Sequence, residues 1–107
     1  MVKLFDNHPI VLDKVLATKI GLNEAIVLQQ VHYWLEINKK NKRNFHEGRY
    51  WTYNSMKKWH EEFPFWSIET VKRTFKRLRE ANLIITGNFN VYQMDRTLWY
   101  TINYEEL

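Results

Sequence analysis

Between Ser67 and Ala81 the chain carries Lys72, Arg73, Lys76, Arg77 and Arg79, with Glu69 and Glu80 near either end. Ile68, Val71, Phe75 and Leu78 fall among them at a 3.6-residue period. That spacing predicts a helix with one apolar stripe. Fixing the stripe fixes the opposite face as Glu69, Arg73, Lys76 and Glu80, flanked by Thr70 and Arg77. Lys72 and Arg79 fall nearer the core boundary. A helix in a DNA major groove reads bases with residues near its N-terminus and meets phosphates along its flanks. Thr70 and Arg73 are therefore the base-edge candidates, since a guanidinium pairs bidentately with guanine. Lys72, Lys76 and Arg77 suit phosphates. Ser67, the expected cap, and the first-turn amides offer a further phosphate site. The competing reading is an ordinary solvated helix face. Glu69 and Glu80 favour it, because they lower the local potential.

Two other stretches have the composition of a contact surface. In the polar segment from Gly87 to Thr97, Asn88, Asn90, Tyr92, Gln93 and Arg96 are placed to touch a sugar-phosphate backbone or a minor groove. Asn90 and Arg96 are the candidates taken forward. Phe89 and Tyr92 either stack on a ligand or pack back on a sheet. The run from Asn38 to Asn44 holds Lys39, Lys40, Lys42 and Arg43 with no apolar period. It reads first as a solvated loop, and then as a source of salt-dependent phosphate contacts.

Catalytic chemistry finds no support. His8, His32, His46 and His60 lack the HExxH spacing of a metal site. Gly21, Gly48 and Gly87 form neither a nucleophile elbow nor a dinucleotide loop. The absence of cysteine excludes a disulfide scaffold, cysteine-based zinc sites and a thiol nucleophile. Glu61-Glu62 and Glu105-Glu106 are sequence neighbours, so they point apart on a regular element. We expect no enzyme, no metal and no cofactor.

Several elements must position these residues. A first helix is expected to begin after His8-Pro9, with Leu12, Val15, Leu16 and Ile20 on one side, and to stop at Gly21. Asn23 is expected to cap a second, carrying Val27, Leu28, Val31, Trp34 and Leu35 on one stripe and Ile26, Tyr33 and Ile37 on another. Apolar cover on two sides marks a central core helix or a partner surface. Gly48 to Tyr53 reads as a strand. Asn54 is expected to cap a short helix containing Met56, Trp59 and His60, broken at Phe63-Pro64. Asn82 ends the basic helix. Leu83 to Thr86 and Leu98 to Asn103 read as strands around the polar loop. Trp34 and Trp59 are expected in the core. Trp51 and Trp99 should cover one sheet face, and Trp66 should staple the basic helix.

The chain's 107 residues make one domain, long enough to bury roughly two thirds of its unfolded surface. A net charge of +4 suits an anionic partner. No apolar run approaches the ~20 residues of a membrane span. Met1 to Asp6 lacks the apolar core of a signal peptide, so we expect a cytoplasmic protein with no membrane partner. The expected fold class is α+β, mostly α: a winged helix-turn-helix with a small three-stranded antiparallel sheet. Within residues 1–107 it would place a tail at 1–8, a basic loop at 38–47, the helix-turn-helix at 54–81 and a wing hairpin at 83–104.

Three stretches carry a family likeness: Ile20 to Leu35, Gly48 to Tyr53 continuing through Trp59 and Phe63-Pro64-Phe65-Trp66-Ser67 to Leu83, and Asp95 to Tyr104. They resemble the N-terminal winged-helix domain of the DnaD-like replication initiation proteins and replisome organisers of Gram-positive phages and prophages. The resemblance covers nearly the whole chain. It implies origin recognition on double-stranded DNA, primosome assembly, helicase loading with a helicase or its loader as partner, and self-association. Members of that family usually continue into a C-terminal domain. The sequence here stops at Leu107, so the likeness is to an isolated domain or a short stand-alone relative. Other roles open to this fold are a protein-binding or oligomerisation module, a phage transcription regulator, and a small phage protein that blocks a host nucleoprotein.

Overall fold

Asp13, not Pro9, starts the first helix. In the computed structural model, which describes residues 9–107, α1 spans Lys14–Ile20. The Asp13 carboxylate accepts the amides of Val15 at 2.9 Å and Leu16 at 3.1 Å. Satisfying two orphan amides outweighs a proline that merely lacks one. The expected tail at 1–8, with His8, lies outside the described residues.

α2 spans Leu22–Lys40 and follows Gly21 directly. Asn23, expected as its cap, lies in its first turn instead. Gly21 at φ +106° reverses the chain in a single residue and leaves no place for a separate cap. At its other end α2 absorbs Asn38 to Lys40, which the sequence pattern assigns to a solvent loop. Asn38 is only 6% exposed, and its Nδ2 donates to the Trp51 carbonyl at 2.7 Å. Lys39 and Lys40 sit in the last turn, where the helix dipole favours cations.

The strand expected from Gly48 to Tyr53 divides. β1 (Phe45–His46) and β2 (Arg49–Tyr50) form a small antiparallel hairpin closed at Glu47-Gly48. β1 therefore falls inside the expected basic loop. β3 (Thr52–Tyr53) joins a different sheet. Trp51 causes the break. Its amide turns to the Asn44 carbonyl at 2.9 Å, and its indole donates to the His46 carbonyl at 2.9 Å.

α3 spans Met56–Glu62 and is capped by Ser55, whose Oγ accepts the Lys58 amide at 3.2 Å. Asn54, the expected cap, is still pairing with the sheet, its amide donating to the Leu98 carbonyl at 3.3 Å. After the Phe63-Pro64 break comes α4 (Ile68–Glu80), then β4 (Ile84–Gly87), β5 (Trp99–Ile102) and a 3₁₀ turn at Tyr104–Glu106. The three-stranded sheet is antiparallel in the order β3-β5-β4. Thr52 faces Tyr100 in one ladder and Ile84 faces Ile102 in the other. All four residues of the central strand β5 are buried.

A short helix, a turn, a longer helix and a hairpin make the fold α+β, mostly helical and winged-helix-like. Its core joins Val27, Leu28, Val31 and Leu35 of α2 to Trp59, Phe63, Val71, Phe75, Leu78, Tyr100 and Ile102. Trp59 is fully buried, 5.2 Å from Phe75 and 5.8 Å from Tyr100 between ring centres. Trp34 is half-buried and donates its indole proton to Glu62 at 2.7 Å. The same carboxylate accepts Gln30 at 2.8 Å, which ties α2 to the end of α3. Trp66 packs on Phe63 at the core's edge. Among the described residues no helix is long and apolar enough to cross a membrane.

Candidate nucleic-acid interface

α4 is held rigidly at both ends. Ser67 caps it, its Oγ accepting the Thr70 amide at 3.2 Å and meeting the Thr70 hydroxyl at 3.1 Å. At the C-terminus Asn82 takes φ 59°, the Leu83 amide reaches the Leu78 carbonyl at 2.9 Å, and the Asn82 amide reaches the Arg79 carbonyl at 3.0 Å. That pair of bonds is a Schellman cap, and asparagine tolerates the left-handed position it needs. Val71, Thr74, Phe75 and Leu78 are buried. Thr74 joins the apolar stripe because its hydroxyl bonds back to the Thr70 carbonyl at 2.8 Å.

The wing is held from inside. Gly87 lets Phe89 and Trp51 close over the strand, since a Cβ there would stand 3.0 Å from the Phe89 ring. Phe89 stacks on His46 with ring centres 4.4 Å apart and meets Trp51 and Trp99 edge-on. Trp51 and Trp99 thus share one aromatic cluster, and Phe89 packs back on the sheet. Asn90 holds the loop beyond. Its Oδ1 accepts the Trp99 indole at 2.7 Å, and its Nδ2 donates to the carbonyls of Asp95 at 3.0 Å and Thr97 at 2.9 Å. Asp95 closes the turn by accepting the Thr97 amide at 3.0 Å. Bonds from Thr97 hold the Asp95 carboxyl below its usual range.

Between α4 and this wing lies an open groove of about 950 Å³. Lys72, Arg73, Lys76 and Arg79 line it from α4, and Arg96 faces them from the wing. Asn54, Ser55 and Met56 close one end, and Tyr100 and Leu98 also line it. Five cations here meet two carboxylates, Glu69 and Asp95. Lys76 also touches Glu80 at 3.9 Å, an exposed pair that contributes little. Among the described residues Lys72, Arg73, Arg79 and Arg96 form no ion pair. The Arg73 guanidinium rests 3.4 Å from the Thr70 hydroxyl. Burial raises the Tyr100 phenol, with Arg79 opposing.

Of the eight residues singled out in the sequence, four meet here: Lys72, Arg73, Lys76 and Arg96. Arg77 does not. It lies on the other flank of α4 and pairs with Glu24 of α2 at 3.5 Å. Ser67 and Thr70 also lie outside the groove lining, bound to one another across the first turn. Asn90 stands in the wing but is consumed by its internal bonds, so its role is to shape the loop. Arg79, expected nearer the core boundary, instead lines the groove. The sequence shows that Arg79, two helical turns after Lys72, shares its flank, but which flank meets the wing is settled only by the tertiary fold.

The other cations are differently placed. Lys39 and Arg49 share a second cleft with Glu36, Glu47 and Glu105, where carboxylates outnumber cations. Arg49 is committed there, 3.3 Å from the Glu105 carboxylate. Among the described residues the histidines make internal contacts, His46 through its stack on Phe89. His32 meets the Tyr104 hydroxyl at 2.7 Å, and His60 the Trp66 carbonyl at 2.8 Å. Desolvation, and secondarily the charge of Glu36, push the Tyr104 phenol up to about 12.

Comparison with protein-family models, with curated proteins and with solved structures finds no match.

Proposed function

We propose that this chain is a DNA-binding winged-helix domain that seats a phosphate backbone in the groove between α4 and the wing. The observation that carries the reading is the convergence of Lys72, Arg73, Lys76 and Arg79 with Arg96 from a separate element. Cations facing each other across a groove fit an anionic ridge, and a duplex backbone is one. Arg73, near the start of α4, reads base edges. Lys72, Lys76, Arg79 and Arg96 meet phosphates. The protein acts by binding, not by catalysis, and the partner is double-stranded DNA in the cytoplasm. The resemblance to DnaD-like initiators assigns that binding to phage-type replication initiation, with a helicase or its loader as the next partner. Fluorescence anisotropy with mixed-sequence duplexes tests the reading. Arg73→Ala relaxes sequence preference, and Lys76→Ala weakens all sequences alike. Unchanged binding by both variants removes this face from consideration.

A specific observation supports another reading, self-association. Val11 and Val15 are more than two thirds exposed, and Leu12, Phe65 and Tyr33 are exposed as well. Two shallow clefts lined by Ile10 run beside them, one with Leu12, Ile26 and Phe65, the other with Val11, Tyr33 and Trp34. Contiguous apolar surface of this kind marks contact sites. Light scattering over a concentration series tests it, and a mass fixed at the monomer throughout counts against it.

A further inference from the structure

We propose that the tip of the wing is a wedge that enters the minor groove and unstacks a base step beside the α4 contact. This rests on the duplex-binding reading above and adds an activity to it, the deformation of DNA. Val91 is 90% exposed, Tyr92 76% and Met94 91%. They are the three most exposed large apolar residues among those described, and they fall within four consecutive positions.

Nothing internal rewards that exposure, and the loop is built to maintain it. Asn90 ties the near side of the loop to Asp95, Thr97 and Trp99, and the Asp95 amide closes the tip on the Tyr92 carbonyl at 3.1 Å. Phe89, one position before Asn90, is packed down on His46. The loop therefore sorts its apolar residues, one into the sheet and three into solvent. Below the tip Arg96 enters the cationic groove. A single loop thus carries a phosphate contact at its base and a bare apolar point at its end. Proteins that bend DNA use this combination, inserting slender apolar side chains between base steps while cations hold the backbone. Pyrimidine–purine steps are the easiest to open. An anionic membrane is the rival occupant of an apolar tip with cations behind it. The cations here line a concave groove, which fits a ridge and not a plane.

The experiment uses the full chain and two end-labelled duplexes of equal length. One is rich in TA and CA steps and the other is an A-tract, each with 2-aminopurine placed at successive positions. Anisotropy reports binding, energy transfer between the ends reports bending, and 2-aminopurine emission reports unstacking. The wild type is expected to bend the flexible duplex and brighten 2-aminopurine at one step. Val91→Ser/Tyr92→Ser/Met94→Ser changes only exposed side chains. It is expected to keep the salt slope, lose both signals and bind the flexible duplex several-fold more weakly. Binding without either signal, or bending by the variant as by the wild type, overturns the wedge and leaves duplex binding standing. Tip-dependent binding to phosphatidylserine vesicles with no DNA bending assigns the tip to a membrane and also overturns it. No duplex binding at low salt removes the underlying reading, and the wedge with it.

Discussion

The molecule has two cationic regions, and they are not equivalent. One is the groove of α4 and the wing, where five cations face two carboxylates. The other surrounds the end of α2, where Lys39 and Arg49 sit among Glu36, Glu47 and Glu105. By composition alone the α2 end is as basic as the groove, with four cations in the run from Lys39 to Arg43. The structure divides the two regions by what lies opposite. In the groove α4 brings four cations against Glu69, and the facing wing adds Arg96 and Asp95 in balance, so positive charge prevails. In the cleft beside the end of α2 the facing elements bring acid, so the fields of Lys39 and Arg49 are cancelled there. Lys40, Lys42 and Arg43 lie outside that cleft and converge on no facing cation among the described residues. A count of cations along a chain does not by itself point to an anion site; the proposal rests on their convergence on capped elements.

The largest break in that comparison is charge reversal. Lys72→Glu/Lys76→Glu is expected to abolish duplex binding at physiological salt, while Lys39→Glu/Lys40→Glu leaves it nearly intact. Anisotropy on the two variants side by side decides this. Equal losses would dissolve the distinction between the regions.

Next is Arg73, the arginine proposed to read base edges. Arg73→Ala is expected to cost about 1–3 kcal/mol on the preferred sequence and less on others. Competition titrations with matched and scrambled duplexes measure the difference.

The third change tests the support beneath the groove. Asn90→Ala strands the Trp99 indole and two carbonyls, at a cost of about 1–3 kcal/mol in stability. Urea unfolding measures it, and a change within about 0.5 kcal/mol would deny the brace.

Alkaline pH sharpens the other side. The folded chain holds the Tyr104 proton up to about 12, against 10.0 for the free side chain. A raised folded value means the contribution is intact below pH 10 and is lost as pH climbs toward 12. Urea midpoints should therefore fall across that window. In Tyr104→Phe, which has no proton to lose, the fall should be smaller.

The smallest effect belongs to Arg77. Arg77→Ala removes a 3.5 Å pair with Glu24 that is exposed on the arginine side only and should cost about 1 kcal/mol or less. Duplex affinity should barely move, because Arg77 lies off the groove.

Particular residues show what the sequence could reveal. The α4 stripe, its Ser67 cap and the stop at Asn82 are legible because each is a local pattern. So is the helix-turn-helix-hairpin order. The start of α1 is not, because an Asp cap and a Pro start compete within a few residues. Asn38 reads as solvent loop because its partner, the Trp51 carbonyl, lies across a turn. The same holds for Asn90, whose amide reads as available although Trp99 claims it. Arg77 and Arg79 exchange roles between sequence and structure because the stripe fixes two flanks and does not say which one meets the wing. That choice is tertiary.

The central claim is that phosphate contact resides in the α4–wing groove and not in the α2 end. The most direct measurement is the salt dependence of duplex affinity for three proteins: the wild type, Lys72→Ala/Lys76→Ala and Lys39→Ala/Lys40→Ala. The account predicts salt-sensitive binding by the wild type. It predicts a log–log slope smaller in magnitude by about 2 for the groove variant and unchanged for the α2 variant. No binding at low salt, or a slope that falls equally in both variants, would contradict it.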